Sequence, residues 1–225
     1  MPQRKKQPQD KAERSLRRFF KDNSLTIVMF VLFLICFWGD SVASWHLQNQ
    51  HLADHGSAAI GFWRNFFSSS YLQELASNWQ AAFLQLTSLI VFSVFLYQRG
   101  APHSRDPDKH KNKRKKREED SRFSWLFRNS LSIAFVLLFV VTLAFHMVSG
   151  ALSFNEQLAL LHRPPISFGA FLISAKFWSS TLETWQAEFL AIALFIVLSV
   201  FLRQQDSAES KPVESSNKDT GNADD

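Results

Sequence analysis

The chain has 225 residues and a formal charge of +5, from 25 Lys and Arg against 20 Asp and Glu, with 23 Phe, 7 Trp and one cysteine. A lone cysteine, Cys36, excludes an intramolecular disulfide and any cysteine-cluster metal site. The composition also excludes a disordered chain, a secreted disulfide scaffold and a coiled coil.

In chain order, residues 1–22 form a basic tail with eight Lys and Arg. Residues 25–39, LTIVMFVLFLICFWG, are apolar all round. With flanks they predict a first span over 24–45, roughly 33 Å of helix against a bilayer core of roughly 30 Å. The same run could be the apolar part of a signal peptide with Val42-Ala43-Ser44 near its cleavage site, but the leader is long and a counterpart run follows later in the chain. A long connector then carries Ile60, Phe62, Trp63, Phe66, Phe67, Tyr71, Leu72, Leu75 and Trp79. A second span is expected over 80–97. Residues 99–124 form a basic linker, a third span covers 129–149, and a second long connector carries Phe168, Phe171, Leu172, Trp178 and Leu182. The fourth span covers 185–202. The tail over 205–225 is rich in Ser, Asp and Glu, and its composition leads to an expectation of disorder.

None of the four runs is striped like a surface helix or alternates like a strand. The expected fold is all-α: a polytopic membrane protein of four transmembrane helices, with interfacial helices in the outer connectors, where Trp is enriched. Those connectors read either as a lid over the bundle or, more simply, as an aromatic collar that fixes depth.

Of the 25 basic residues, eight lie in the first tail, eleven over 98–128 and three after the fourth run. Positive charge collects on the cytoplasmic side. The expectation is therefore a multi-pass protein of the cell inner membrane with both termini cytoplasmic. Lys109, Lys111, Lys113, Arg114, Lys115, Lys116 and Arg117 are candidates for contact with anionic lipid headgroups. They could resemble a nuclear-localisation or nucleic-acid patch. Between two spans, however, they serve more simply to set topology, and no nucleic acid is expected.

Sliding the chain by 106 residues aligns two halves without a gap. Residues 79–98 and 185–204 agree at 12 of 20 positions, including Trp79-Gln80-Ala81 with Trp185-Gln186-Ala187 and the closing Gln98 with Gln204. Apolar composition alone would not match Trp-Gln in register. The halves, 23–98 and 125–204, read as tandem helical-hairpin repeats related by a pseudo-twofold axis along the membrane normal. Asn23 and Asn129, or the serines after them, are expected to cap the entering helices.

Certain motifs carry a resemblance. They are the Phe-x-x-Asn-x-Leu entry from Phe20 to Leu25, which recurs with Leu126 in place of Phe, the run Trp185-Gln186-Ala187-Glu188-Phe189, and the exit Phe201-Leu202-Arg203-Gln204. The chain resembles a family of uncharacterised bacterial integral membrane proteins, a conserved domain of unknown function. The resemblance implies a four-helix membrane protein and brings no activity or site.

No phosphate loop, nucleophile elbow, zinc motif or cysteine pair is present, so neither an enzyme, a metal nor a cofactor is expected. Charge at membrane depth is costly and marks candidate function. Asp40 near the end of the first span, His146 at the aligned position of the third and Glu188 one turn into the fourth form a candidate outer polar cluster. The simpler reading is that all three reach interfacial water. Gln85, Thr87, Ser88, Ser93 and Ser199 read as interhelical hydrogen-bonding residues. The expected role is a non-enzymatic interaction or envelope component, compatible with homo-oligomers or a membrane protein partner. The alternative is a small transporter or proton/cation conduit that uses the polar cluster.

Overall fold

A computed structural model describes residues 17–54, 56–106 and 124–221. Among these residues the fold is all-α, and its helices include α1 (Ser24–Asp54), α2 (Phe62–Phe66), α3 (Ser69–Phe92), α4 (Trp125–Arg128), α5 (Ser130–Leu160), α6 (Phe168–Leu172) and α7 (Ala175–Phe201). The basic linker residues Lys109 to Arg117 and the leading basic residues up to 16 lie outside the described residues. The chain divides into two compact units, Met1–Ser68 and Ser69–Asp225.

In the first unit, α1 is 31 residues long. At 1.5 Å per residue it measures about 46 Å, well beyond a bilayer core. It runs past the expected end at residue 45, because the polar stretch after it contains no Pro or Gly until Gly56. Gly56 (φ +66°) ends it. The Gly56 amide bonds Ala53 O at 3.0 Å and the Ser57 amide bonds Leu52 O at 2.8 Å, the Schellman pattern. The chain then turns back. The Asn49 amide clasps Ile60 by accepting from its N–H at 2.8 Å and donating to its carbonyl at 3.1 Å, while Trp45 Nε1 donates to that carbonyl at 2.7 Å. This places α2 against α1. The Phe66 ring packs edge-on against Phe37 (5.9 Å) and stacks on Trp38 (6.1 Å).

In the second unit, α3, α5 and α7 pack together. Contacts ascend α3 while descending α5: Ser69 to Glu156, Ser70 to Ser153, Gln73 to His146, Phe83 to Phe135. These two helices are therefore antiparallel. Contacts to α7 ascend together, Gln80 to Trp185 and Gln85 to Glu188, so α3 and α7 are parallel. Ala151, Phe171 and Phe177 form an apolar cluster that seats α6 between the ends of α5 and α7. Gly150 lets Phe171 approach: a Cβ there would lie 3.0 Å from the ring. Ser167 caps α6 through the Ala170 amide (3.2 Å), and Ser174 caps α7 through the Phe177 amide (3.3 Å).

Asn129 precedes α5 without a side-chain cap. Its amide reaches back to Trp125 O at 2.8 Å, and that of Asn23 reaches back to Phe19 O at 2.9 Å. The expected caps are thus replaced by bonds to the preceding turn. Further spacings recur. Each boundary of α5 falls 106 residues after that of α1, α6 follows α2 at the same interval, and the starts of α3 and α7 do likewise. Asn155 clasps Ile166 at 2.9 and 3.1 Å, as Asn49 clasps Ile60. His162 (φ +54°) stands where Gly56 would be, in the same Schellman pattern.

Among the described residues three helices, α1, α5 and α7, are long and apolar enough to cross a membrane, and each has only 6% of its most apolar window buried. The helix α3 is the most polar of the long four, carrying Gln73, Glu74, Asn78, Gln80 and Gln85, and it ends at Phe92 rather than continuing to 97. After α7 the described chain, 202–221, follows a series of turns. Arg203 donates to Ser215 O and Asn217 Oδ1, and the buried Lys211 ammonium donates to Ser216 O and Asp219 O. Thr220 Oγ1 accepts from the Gly100 amide, and the Gly221 amide bonds Ala101 O.

Candidate functional site

The polar residues that the second unit buries form a seam along α3, α5 and α7. On α5, His146, Ser149 and Ser153 recur at three-to-four spacing and so share a face. On α3, Gln73, Ser77 and Gln80 do the same, and Thr181 and Trp185 lie one turn apart on α7. His146 is 0% exposed. Its Nδ1 lies 3.4 Å from Gln73 O, its Nε2 lies 3.4 Å from Thr181 Oγ1, and its ring packs on Phe177 at 5.6 Å. Two turns along α3, Gln80 Oε1 accepts from Trp185 Nε1 at 2.9 Å, and Trp185 packs against Phe139. Ser70 and Ser153 hydroxyls meet at 3.0 Å at one end of the seam. Gln85 Nε2 donates to the Glu188 carbonyl at 3.0 Å at the other.

Ser77 Oγ, Gln80 Nε2 and Thr87 Oγ1 are buried without a hydrogen-bond partner among the described residues. Buried polar atoms are normally satisfied, so each calls for a partner. No group of three metal-ligating side chains occurs among the described residues.

The three residues of the candidate outer cluster fall in different settings. Asp40 is exposed on α1 in the first unit. In the second, His146 is wholly buried and Glu188 half-buried. The partners of His146 are Gln73 and Thr181, and Glu188 lies seven residues beyond Thr181, about 10 Å along the helix axis. Of the expected interhelical bonds, Gln85 makes one. Ser93 and Ser199 instead donate to their own helices, at Ile90 O and Ile196 O. Gln80, which the sequence offers only as part of the repeated Trp-Gln-Ala motif, is a buried bridge to the Trp of the other motif. Gln73, Thr181, Ser149 and Ser153 were not singled out in the sequence. Their signal was small polar side chains at helical spacing around His146, which mean apolarity hides.

Outside the helices, Lys211 is held among Ser216 O and Asp219 O. Burial pushes its ammonium pKa below the usual lysine value, the Arg203 charge adds to that, and Asp219 opposes it.

The uncovered apolar helices and the buried polar seam define a multi-pass, all-helical membrane protein. Residues 16–222 match the family model described as Domain of unknown function (DUF6766), and the chain belongs to that family. No curated protein and no solved structure shows a significant match to it.

Proposed function

We propose that this protein is a non-enzymatic component of the bacterial inner membrane, built as two tandem copies of a span–connector–span segment, with four spans and both termini cytoplasmic. In this reading it acts through interaction with other membrane components. The observation that carries it is the Gln80–Trp185 bridge, in which the glutamine of one Trp-Gln-Ala motif is buried against the tryptophan of the other. The repeated motif serves to lock helices together, while the apolar outer faces of α1, α5 and α7 stay available to lipid or to partner helices. The recurrence of boundaries at 106 residues fits a duplication. In that register α3 is the counterpart of α7 and supplies the fourth span. The linker lysines and arginines then lie at the cytoplasmic headgroups, where each contributes roughly 1 kcal/mol of attraction to anionic lipid.

Topology is the first test. In a Cys36→Ser background, single cysteines at Ser57, Arg105, Arg163 and Glu214 are probed with a membrane-impermeant maleimide. The expected pattern is labelling of positions 57 and 163 from outside, and of 105 and 214 only after permeabilisation. Labelling of 105 from outside would mean that α3 does not cross, and would overturn the four-span reading. The interaction role is tested by photocrosslinkers at the exposed positions Leu137 and Leu194 in living cells. A recurrent protein adduct of one size is expected, and adducts with lipid alone would count against it.

A further inference from the structure

His146 meets two partners that together admit two proton arrangements. Its Nδ1 faces Gln73 O. A carbonyl oxygen only accepts, so this nitrogen carries a proton in either state. Its Nε2 faces Thr181 Oγ1, and that hydroxyl, with one proton to give, also lies 2.8 Å from Phe177 O. When the hydroxyl proton points at Nε2, the imidazole is neutral. When it points at Phe177 O, the hydroxyl presents a lone pair to Nε2, and the imidazole can be protonated on both nitrogens. The heavy atoms need not move between the two.

We propose that His146 is a proton-binding site inside the seam, with the Thr181 hydroxyl as its switch. On uptake, a hydronium ion gives one proton to Nε2: its O–H bond breaks, an N–H bond forms and a neutral water is left. The Thr181 O–H bond stays intact and turns from Nε2 to Phe177 O. The positive charge passes from the hydronium to the imidazole and no further bond changes; release reverses each step.

The surroundings favour such a site. Ser77 Oγ and Gln80 Nε2, one and two turns along α3 from Gln73, are buried without partners among the described residues. They are the kind of polar lining at which internal water is held, and water there would relay the incoming proton. On α3 the nearby ionisable groups are the buried Tyr71 and the exposed Glu74. On α7 they are the exposed Lys176 and Glu183 and the half-buried Glu188 two turns on. On α5 Glu156 is engaged with Ser69, and α6 has none. The imidazolium is thus stabilised by the hydrogen bonds it donates to a carbonyl and a hydroxyl oxygen. This inference stands apart from the membrane role proposed above, since a scaffold and a conduit alike could carry the site.

The test uses the full-length protein in lipid nanodiscs with 15N-labelled histidine, with protons themselves as the probe. The His146→Asn variant identifies which imidazole signals belong to His146. The expected result is a neutral form protonated at Nδ1, which acquires a second proton at Nε2 as pH is lowered from about two units above to about two units below the ordinary value near 6.5. Thr181→Val keeps the shape and removes the switch; it is expected to lower the proton affinity about tenfold, one pH unit. Thr181→Ser is expected to restore it to within about twofold, which a purely structural role would not do. A neutral form protonated at Nε2, a native imidazole that never titrates, or a Thr181→Val protein that titrates like native would each overturn the proposal. If Thr181→Val does not fold, the neutral tautomer of the native protein decides alone.

Discussion

His103 and Glu209 stand 106 residues apart and meet: His103 Nε2 lies 3.1 Å from the Glu209 carbonyl oxygen and 3.3 Å from its carboxylate. The His103 ring stacks on Phe195 of α7 at 5.2 Å. The segments around the two residues share local geometry. The Gln98 amide donates to Ser104 Oγ at 2.7 Å and the Gln204 amide to Ser210 Oγ at 2.9 Å, and Gly100 and Asp206 both adopt positive φ. Two related turns therefore face each other, and residues 215–221 are fastened over the first of them.

Gly100 is the position where that fastening is most sensitive. Its φ is +84°, and a Cβ there would run into Asn217 O and lie 2.8 Å from Val200 Cγ1. Gly100→Ala is expected to release the tail, since the left-handed conformation alone costs an L-residue about 1–2 kcal/mol. Hydrogen exchange checks this: the amide of Gly221, bonded to Ala101 O in the native protein, should lose protection. Unchanged protection would show that the tail is held without this turn.

The end of α5 offers the opposite change. His162 holds φ +54° at the C′ position of a Schellman turn, where Gly56 serves at the end of α1. Glycine enters this region without the Cβ penalty. His162→Gly is expected to stabilise the second unit by about 0.5–1 kcal/mol, read as a rise of a few degrees in Tm in detergent. A fall in Tm would mean that the imidazole makes contacts worth more than the backbone strain.

The apolar runs of α1, α5 and α7 and the spacing of 106 residues were legible because a helix apolar enough to cross a membrane declares itself through composition and matching residues through register. Helix ends were less so. Both α1 and α5 continue well past the apolar stretch through residues such as Gln48, Asn49 and Asn155, because hydrophobicity marks where lipid ends and not where the backbone must unwind. The Asn49–Ile60 and Asn155–Ile166 clasps recur at the same period, yet a side chain bonding a backbone eleven residues away leaves no local pattern. Divergence between the halves hides more. Asn65 donates to Ser44 Oγ at 3.4 Å, while the aligned pair is Phe171 lying over Gly150, so one position is polar in the first half and aromatic in the second.

Lys211 gives the docked tail a pH dependence. Burial and Arg203 place its pKa below the ordinary 10.5. Between the lowered value and 10.5 the unfolded tail binds more protons than the docked one, so docking strengthens as pH rises through that window. Below the lowered value this group contributes no slope. Limited proteolysis of residues 211–221 at a series of alkaline pH values is expected to slow relative to an unstructured reporter peptide. Lys211→Met should remove the trend, and persistence of the trend in that variant would assign it to another group.

The Gln80–Trp185 bridge joins α3 to α7 through buried atoms. Gln80→Leu leaves the Trp185 N–H without its partner, and an unmet buried donor costs about 1–3 kcal/mol. The expected result is a Tm lower by several degrees in detergent, with α7 exchanging amide protons faster around Trp185. Trp185→Phe removes the donor as well as its demand. In the double variant the two losses should therefore add to less than their sum, a coupling of about 0.5–2 kcal/mol. Simple additivity would show that the two side chains contribute through packing alone. The bridge would then no longer account for why Trp-Gln stands in the same register at the start of both motifs.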